Sequence, residues 1–390
     1  MDVRGFDSTG DAAKVRRGHR RLGRPAPQRT RAQGLTLDQH EEGTMRGRGI
    51  TYDTGFFPGG ETSREAFDSD VVRRELQVVA EDLHCTAVRI TGGDPERLSL
   101  AAGHAAESGL EVWFSPFPCE MTPDQMLPYF ADCAERAEDL RHQGARIVLV
   151  TGCELSLFAA GFIPGENAYA RIAAVTSGDP ELWASLSELP ARVNAFLAEA
   201  AATAHKRFGG KVTYASMLEE DIDWSPFDIV AVDAYRDAHN ASGYRDELRR
   251  CFAFGKPVAV TEFGCSTFRG AADDGGLGWA IVDEQADPPR LTGRYVRDEA
   301  EQVGYLHDLL GVFEQEGVDS AFWFTFADYN LPHDPNPSRD LDMASYGVVK
   351  VLANGHGATY PDMRWEPKAS FYALAAAYAD PTSGRERGVR

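Results

Sequence analysis

From residue 48 onward, short apolar runs alternate with longer segments in which apolar residues recur every three or four positions. The short runs predict β-strands, and the longer segments predict amphipathic helices. We predict eight strands, at 48–54, 86–91, 110–115, 145–151, 211–216, 228–234, 257–262 and 320–326. Helices are predicted between and after them, near 70–83, 95–108, 123–143, 185–208, 221–226, 244–254, 298–316 and 368–379.

The strands at 147–150 and 229–232 are apolar without alternation, as a parallel strand covered on both faces requires. Eight strand–helix units in series favour one α/β domain at 46–380, a (β/α)8 TIM barrel. The competing doubly wound sheet is disfavoured, because the sequence after Tyr52 lacks the G-x-G-x-x-G turn of dinucleotide-binding domains. Long connections follow strands four, seven and eight, at 155–184, 263–297 and 327–367, on the side where barrel enzymes carry their active sites.

Both ends of the chain lack this pattern. Residues 1–45 are rich in Arg, Gly and Gln without hydrophobic period, so they cannot bury enough apolar surface to offset the entropy of ordering. We predict a disordered N-terminal tail there and a short tail at 381–390. A basic interaction arm and an upstream extension without a role, ending at Met45, are the alternatives for the N-terminal segment.

The composition narrows the possible partners. Hydrophobic residues make up 43% and charged residues 26% of the 390 positions, as in an ordinary soluble enzyme. The formal net charge of −20 repels nucleic acid and anionic membranes, so neither is expected as a partner. No CxxC pair signals a metal or redox site, and no apolar run resembles a membrane span or a secretion signal, so we predict a cytoplasmic protein with reduced thiols.

Two glutamates lie at the ends of apolar strands. Glu154 ends the segment 147–154, and Glu262 ends the segment 258–262. Strands four and seven lie three positions apart in a barrel, so both side chains can point into one cup. Paired carboxylates are what glycosidic bond cleavage needs, one to attack the anomeric carbon or activate water and one to protonate the leaving oxygen. Asp53, at the end of strand one, is a further candidate for substrate binding.

Strand four ending in Glu154, and Glu262 within Thr-Glu-Phe-Gly, resemble the clan A glycoside hydrolases, the retaining β-glycosidases of (β/α)8 fold. The resemblance extends over 48–380 and includes Arg89, Tyr235, Trp323 and the closing motif at 366–372. It implies that Glu262 is the nucleophile and Glu154 the acid/base. It further implies that Arg89 and Tyr235 hydrogen-bond the nucleophile and that Trp323 forms part of the sugar platform.

One position departs from that family. Members usually have Asn before the acid/base, where its amide holds the sugar 2-hydroxyl, and here the residue is Cys153. A thiol is a weak hydrogen-bonding group, so contacts worth several kcal/mol in the transition state are absent or come from elsewhere.

Each candidate also has a structural interpretation. Glu154 can serve the N-terminus of the next helix. Arg89 can pair with Glu81 or Asp94, and Trp323 can pack in the core. The predicted function is cleavage of a β-glycosidic bond in a small-molecule or oligosaccharide substrate, without cofactor or metal.

Two alternatives stay open. The first is a cyclase or lyase of the same fold that acts on a specialised metabolite, and the second is a non-catalytic barrel in binding or defence. The sequence carries no signal of the oligomeric state.

Overall fold

The computed structural model describes residues 45–57, 62–284 and 286–379, and its core is a closed barrel of eight parallel strands. The barrel strands, numbered in chain order, are β1 (Gly47–Asp53), β2 (Ala87–Gly92), β3 (Glu111–Pro116), β4 (Ile147–Cys153), β5 (Lys211–Met217), β6 (Val230–Asp233), β7 (Val258–Phe263) and β8 (Ser320–Trp323). Each strand pairs with its neighbours in sequence, and β8 closes the ring on β1. The predicted barrel is confirmed, and the predicted strand bounds lie within three residues of the observed ones.

The predicted tails lie almost wholly outside the described residues, which exclude 1–44 and 380–390. Met45 is described, and it is buried in the hydrophobic core. The division of the chain into two tails and one domain therefore stays a prediction.

Helices follow the barrel strands, and the long ones match the predicted segments. In chain order they are α1 (Ser69–Glu81), α2 (Pro95–Glu107), α3 (Pro123–His142), α4 (Leu155–Phe158), α5 (Ala168–Thr176), α6 (Pro180–Ser185), α7 (Leu189–His205), α8 (Tyr244–Cys251), α9 (Ala271–Asp274), α10 (Glu299–Glu316) and α11 (Ala369–Tyr378). Asp68 and Asp94 accept hydrogen bonds from backbone amides in the first turns of α1 and α2, which fixes where these helices begin.

One predicted helix, at 221–226, is wrong. The Asp223 carboxylate accepts hydrogen bonds from both the amide and the hydroxyl of Ser225, which closes a local turn. Short polar side chains that bond nearby backbone in this way compete with helix formation. The segment instead leads directly from β5 into β6.

The barrel interior is filled with side chains. Trp113 of β3 and Phe322 of β8 contact each other at a ring separation of 4.8 Å. Around them lie smaller residues from β4 to β7, including Val148, Ala215 and Ala259. The barrel interior is therefore a packed core and not a pore, and the residues at the carboxyl ends of the strands lie at one end of it.

The three long connections are structured. The one after β4 contains α4, α5 and α6. The one after β7 contains an antiparallel pair, Val282–Asp283 with Arg290–Leu291, and the one after β8 contains another, Val349–Val351 with Trp365–Pro367. Within the described part of the chain, no helix is both long and apolar enough to cross a membrane.

A buried ion pair joins the segment after β1 to α1. Arg64 Nη2 lies 3.1 Å from Glu75 Oε2, and both side chains are almost fully buried. The Trp365 indole N–H donates to Glu75 Oε1 at 3.0 Å, and the hydroxyls of Tyr52 and Tyr329 donate to the same carboxylate. Removing one partner of such a pair leaves an uncompensated buried charge.

We therefore expect Glu75→Gln to lower the free energy of unfolding by about 3 to 5 kcal/mol, measured by urea denaturation. Glu81→Gln, the same change at the exposed end of α1, is the control and should lie within about 0.5 kcal/mol of the wild type. A loss below about 1 kcal/mol in Glu75→Gln would show that the pair contributes little.

Candidate active site

Residues on four barrel strands come together near the carboxyl ends of those strands. Arg89 lies on β2, Cys153 ends β4, and Asp233 on β6 pairs in register with Glu262 on β7. The nearest ligand-type atoms of Cys153, Asp233 and Glu262 all lie within 4.8 Å of one another. Residues far apart in sequence therefore share one cup at the end of the barrel where active sites lie in this architecture.

Glu262 is held by a cation and a phenol. Arg89 Nη1 donates to Glu262 Oε1, and the Tyr235 hydroxyl donates to Oε2 at 2.9 Å. Arg89 is fully buried and is itself fixed by the Ser115 hydroxyl, 3.1 Å from its Nε. The arginine therefore pairs with Glu262 rather than with the two acidic residues considered as alternative partners.

Glu154 lies at an irregular end of β4. The register between β4 and β5 shifts between Val150 and Cys153, and Gly152 in this stretch has φ +96°. Glu154 itself has φ +43°, a left-handed conformation that non-glycine residues seldom adopt. It precedes α4, but its side chain makes no capping hydrogen bond, so the structure does not favour the helix-capping interpretation.

Burial raises the pKa of Glu154 well above its usual range, and the nearby charges of Asp233, Glu262 and Glu220 raise it further. The neutral acid is therefore stabilised at Glu154, whereas Glu262 accepts hydrogen bonds from Arg89 and Tyr235. A buried carboxyl group with a raised pKa is a candidate general acid.

Cys153 lies between two carboxyl groups. Its Sγ is 3.3 Å from Asp233 Oδ2, to which it donates, and 3.7 Å from Glu262 Oε1. Burial and the neighbouring charge of Glu262 raise the pKa of Asp233 to about 8, and burial raises the pKa of the Cys153 thiol well above its usual range. The sequence places Asp233 at a strand end without a motif to assign it a role, and the structure adds it to the site.

The ligand types of Cys153, Asp233 and Glu262 are those of a metal site, but their surroundings oppose one. The Arg89 guanidinium already bonds the Glu262 oxygen that lies nearest the thiol. A buried positive charge in that position would repel a divalent cation. The surroundings of the cluster therefore disfavour a metal ion there.

Two predicted substrate-binding residues are engaged elsewhere. Trp323 is fully buried, with its indole N–H bonded to the Tyr346 carbonyl at 3.0 Å, so the observed position fits core packing. Asp53 accepts hydrogen bonds from the Gly55 amide and the Ser63 hydroxyl, both at 2.6 Å. Both carboxylate oxygens of Asp53 thus hold its own loop.

Comparison with solved structures finds the same fold in glycoside hydrolases. A GH113 β-1,4-mannanase is 14% identical over 86% of this chain and 99% of its own, with a TM-score of 0.56. The GH113 β-mannanase of Alicyclobacillus acidocaldarius is 16% identical over 86% of this chain and 97% of its own, with a TM-score of 0.53. The β-glucuronidase of Parabacteroides merdae is 14% identical over 85% of this chain and 36% of its own, with a TM-score of 0.50.

No protein-family profile and no curated protein matches the sequence. At 14 to 16% identity, the structural likeness shows the fold alone. The chain therefore shares the (β/α)8 barrel of these glycoside hydrolases, which is the fold that the sequence resemblance implies.

Proposed function

We propose that the chain is a retaining β-glycosidase with Glu262 as nucleophile and Glu154 as acid/base. The observation that carries this proposal is the contrast between the two carboxyl groups. Arg89 and Tyr235 donate to Glu262, whereas burial and neighbouring negative charge raise the pKa of Glu154. The shared fold with glycoside hydrolases supports the same reaction class without establishing it.

In the first step, Glu262 attacks the anomeric carbon while the bond from that carbon to the leaving oxygen breaks. Glu154 gives its proton to that oxygen, and a glycosyl ester forms on Glu262. In the second step, Glu154 takes a proton from water as the water oxygen attacks the anomeric carbon. Glu262 leaves as a carboxylate, and the acid form of Glu154 is restored.

This route requires the two carboxyl groups to lie about 5 to 5.5 Å apart, and that separation stays a prediction. The reaction uses side chains alone, so no cofactor or metal is proposed. A glycoside of a small molecule or an oligosaccharide is the proposed substrate, and a cytoplasmic location also stays a prediction.

The test is turnover of aryl β-glycosides carrying glucosyl, mannosyl and glucuronyl groups, with the anomer released first identified by proton NMR. We expect phenol release with the β-anomer as the first product. An α-anomer formed first would contradict the retaining mechanism, and no turnover of any of these glycosides would contradict the proposed substrate class.

The contact between Cys153 and Asp233 favours one second candidate. The thiol takes the place of the expected amide and is already engaged with Asp233, so the site lacks that polar contact for a sugar 2-hydroxyl. This suits an enzyme of the same fold that uses the carboxyl groups for cyclisation or elimination. Mass spectrometry of metabolite extracts incubated with the protein separates the two candidates, because only the hydrolase releases free sugar.

A further inference from the structure

A fourth carboxylate, Glu220, holds the turn that follows Glu154. Glu220 lies three residues beyond the end of β5. Its Oε2 accepts from the Tyr214 hydroxyl at 2.9 Å and from the Ser216 hydroxyl at 3.1 Å. Its Oε1 accepts from the Ser156 amide at 3.3 Å and from the Ser156 hydroxyl. Four donors converge on one side chain, as an acceptor-only carboxylate permits.

The backbone is held on both sides of the Glu154 side chain. The Leu155 amide donates to the Tyr214 hydroxyl at 2.8 Å, and that same hydroxyl donates to Glu220. The Glu154 amide donates to the Ala215 carbonyl of β5 at 2.9 Å. The backbone before and after the Glu154 side chain is therefore fixed by β5 and by the residues that Glu220 binds.

A left-handed conformation at a non-glycine residue costs on the order of 1 to 3 kcal/mol and persists only when its surroundings impose it. The φ of +43° at Glu154 is such a conformation. The bonds to Leu155 and Ser156 supply the constraint from the C-terminal side. Glu220 also acts through space, since its charge is one of the influences that raise the pKa of Glu154.

We propose that Glu220 is a positioning residue for the acid/base, and this inference rests on the proposed function. Glu220 fixes the Leu155 and Ser156 backbone so that Glu154 faces the leaving group. It does so without touching the reacting atoms. Burial raises the pKa of Glu220 itself, and hydrogen bonds from Ser156, Tyr214 and Ser216 oppose this rise. When Glu220 is charged, its negative charge beside Glu154 disfavours loss of the Glu154 proton.

The test compares Glu220→Gln with Glu219→Gln, the same change at the adjacent, exposed residue. Each variant is assayed with a phenyl β-glycoside and with a 2,4-dinitrophenyl β-glycoside of the same sugar. Phenolate is a poor leaving group and needs protonation, for which a general acid contributes about 10² to 10⁴-fold in rate. Dinitrophenolate is a good leaving group and needs no protonation. We expect Glu220→Gln to lose about 10 to 100-fold in kcat/KM on the phenyl glycoside, and less than about 3-fold on the dinitrophenyl glycoside.

The pH profile gives a second readout that a merely structural role would not move. Removing a nearby negative charge lowers the pKa of Glu154, so the alkaline limb for the phenyl glycoside should move to lower pH in Glu220→Gln. It should stay in place in Glu219→Gln. Equal losses on the two glycosides, or an unshifted limb, would overturn the proposal. If Glu220→Gln does not fold, Tyr214→Phe replaces it, because this change removes the hydroxyl that Leu155 bonds and should give the same selective loss.

A failure of the proposed function is recognised separately. If the wild-type protein cleaves neither glycoside, the Glu154 carboxyl group is titrated by NMR of protein labelled with carbon-13 at the glutamate side-chain carboxyl. The Glu154 resonance is assigned by its disappearance in Glu154→Gln. A lower Glu154 pKa in Glu220→Gln than in Glu219→Gln would support the influence of Glu220 on the acid/base without any activity, and an unchanged value would contradict it.

Discussion

Replacing Glu262 by Gln should lower kcat for aryl β-glycosides by about 10⁴-fold or more, which is the scale seen when a catalytic nucleophile is removed. An amide cannot form the glycosyl ester, and it no longer neutralises the positive charge of Arg89. Gln has nearly the same shape as Glu and should occupy the same space, but its amide group can accept from only one of the two donors, Arg89 and Tyr235. Steady-state kinetics with a dinitrophenyl glycoside, followed by phenolate absorbance, measures the loss.

The control is Glu181→Gln, which makes the same chemical change on exposed α6 and should retain wild-type kcat. The thermal unfolding midpoint of each variant is needed as well, because Glu262→Gln leaves the buried Arg89 charge unpaired and such a loss can cost about 3 to 5 kcal/mol. A folded Glu262→Gln protein with more than about one tenth of wild-type kcat would rule out Glu262 as the nucleophile.

Glu154→Gln should lower kcat/KM by about 10² to 10⁴-fold for a phenyl glycoside, and far less for a dinitrophenyl glycoside. In the variant, the second step lacks a base, so the glycosyl ester on Glu262 accumulates with the better substrate. Azide needs no proton removal to attack, and it should restore turnover and give a β-glycosyl azide. An α-glycosyl azide, or no rescue in a variant that loses activity, would contradict the acid/base role.

The same assignment fixes the direction of the pH dependence. Glu154 must carry its proton in the first step, so kcat/KM on the phenyl glycoside should fall as pH rises through the Glu154 pKa. Burial and three neighbouring carboxyl groups raise that pKa. The decrease in kcat/KM should therefore occur at a pH well above about 4.3, the ordinary pKa of glutamate. The alkaline limb should be missing in Glu154→Gln.

The barrel could be predicted because its signal is local. Apolar runs and helical periods each occupy a few adjacent residues, and eight repeats of that pattern leave few possible folds. The short helices α5 and α6 were not predicted, since they lie in a connection whose structure depends on packing against the rest of the domain. The helix predicted at 221–226 is wrong because of one local side chain, since Asp223 closes a turn there.

Among the site residues too, those with a local sequence signal could be predicted and those without one could not. Glu154, Glu262, Arg89 and Tyr235 carry recognisable motifs, and the structure brings the last two onto Glu262. The contact between Cys153 and Asp233 joins residues 80 positions apart on strands that are not neighbours, and no local pattern encodes it.

Glu220 is missed for a related reason. Its role depends on hydrogen bonds to the backbone after another strand, which leave no side-chain motif in the sequence.

The proposed mechanism requires Glu262 to form a covalent bond to the sugar. A 2-deoxy-2-fluoro glycoside with a dinitrophenyl leaving group tests it, because the fluorine slows both steps and the good leaving group keeps the first step faster than the second. We predict one fluoroglycosyl group per chain, found by mass spectrometry on the peptide that contains Glu262. Label on Cys153 or Asp233 instead, or rapid hydrolysis of aryl glycosides without any label on Glu262, would contradict the mechanism.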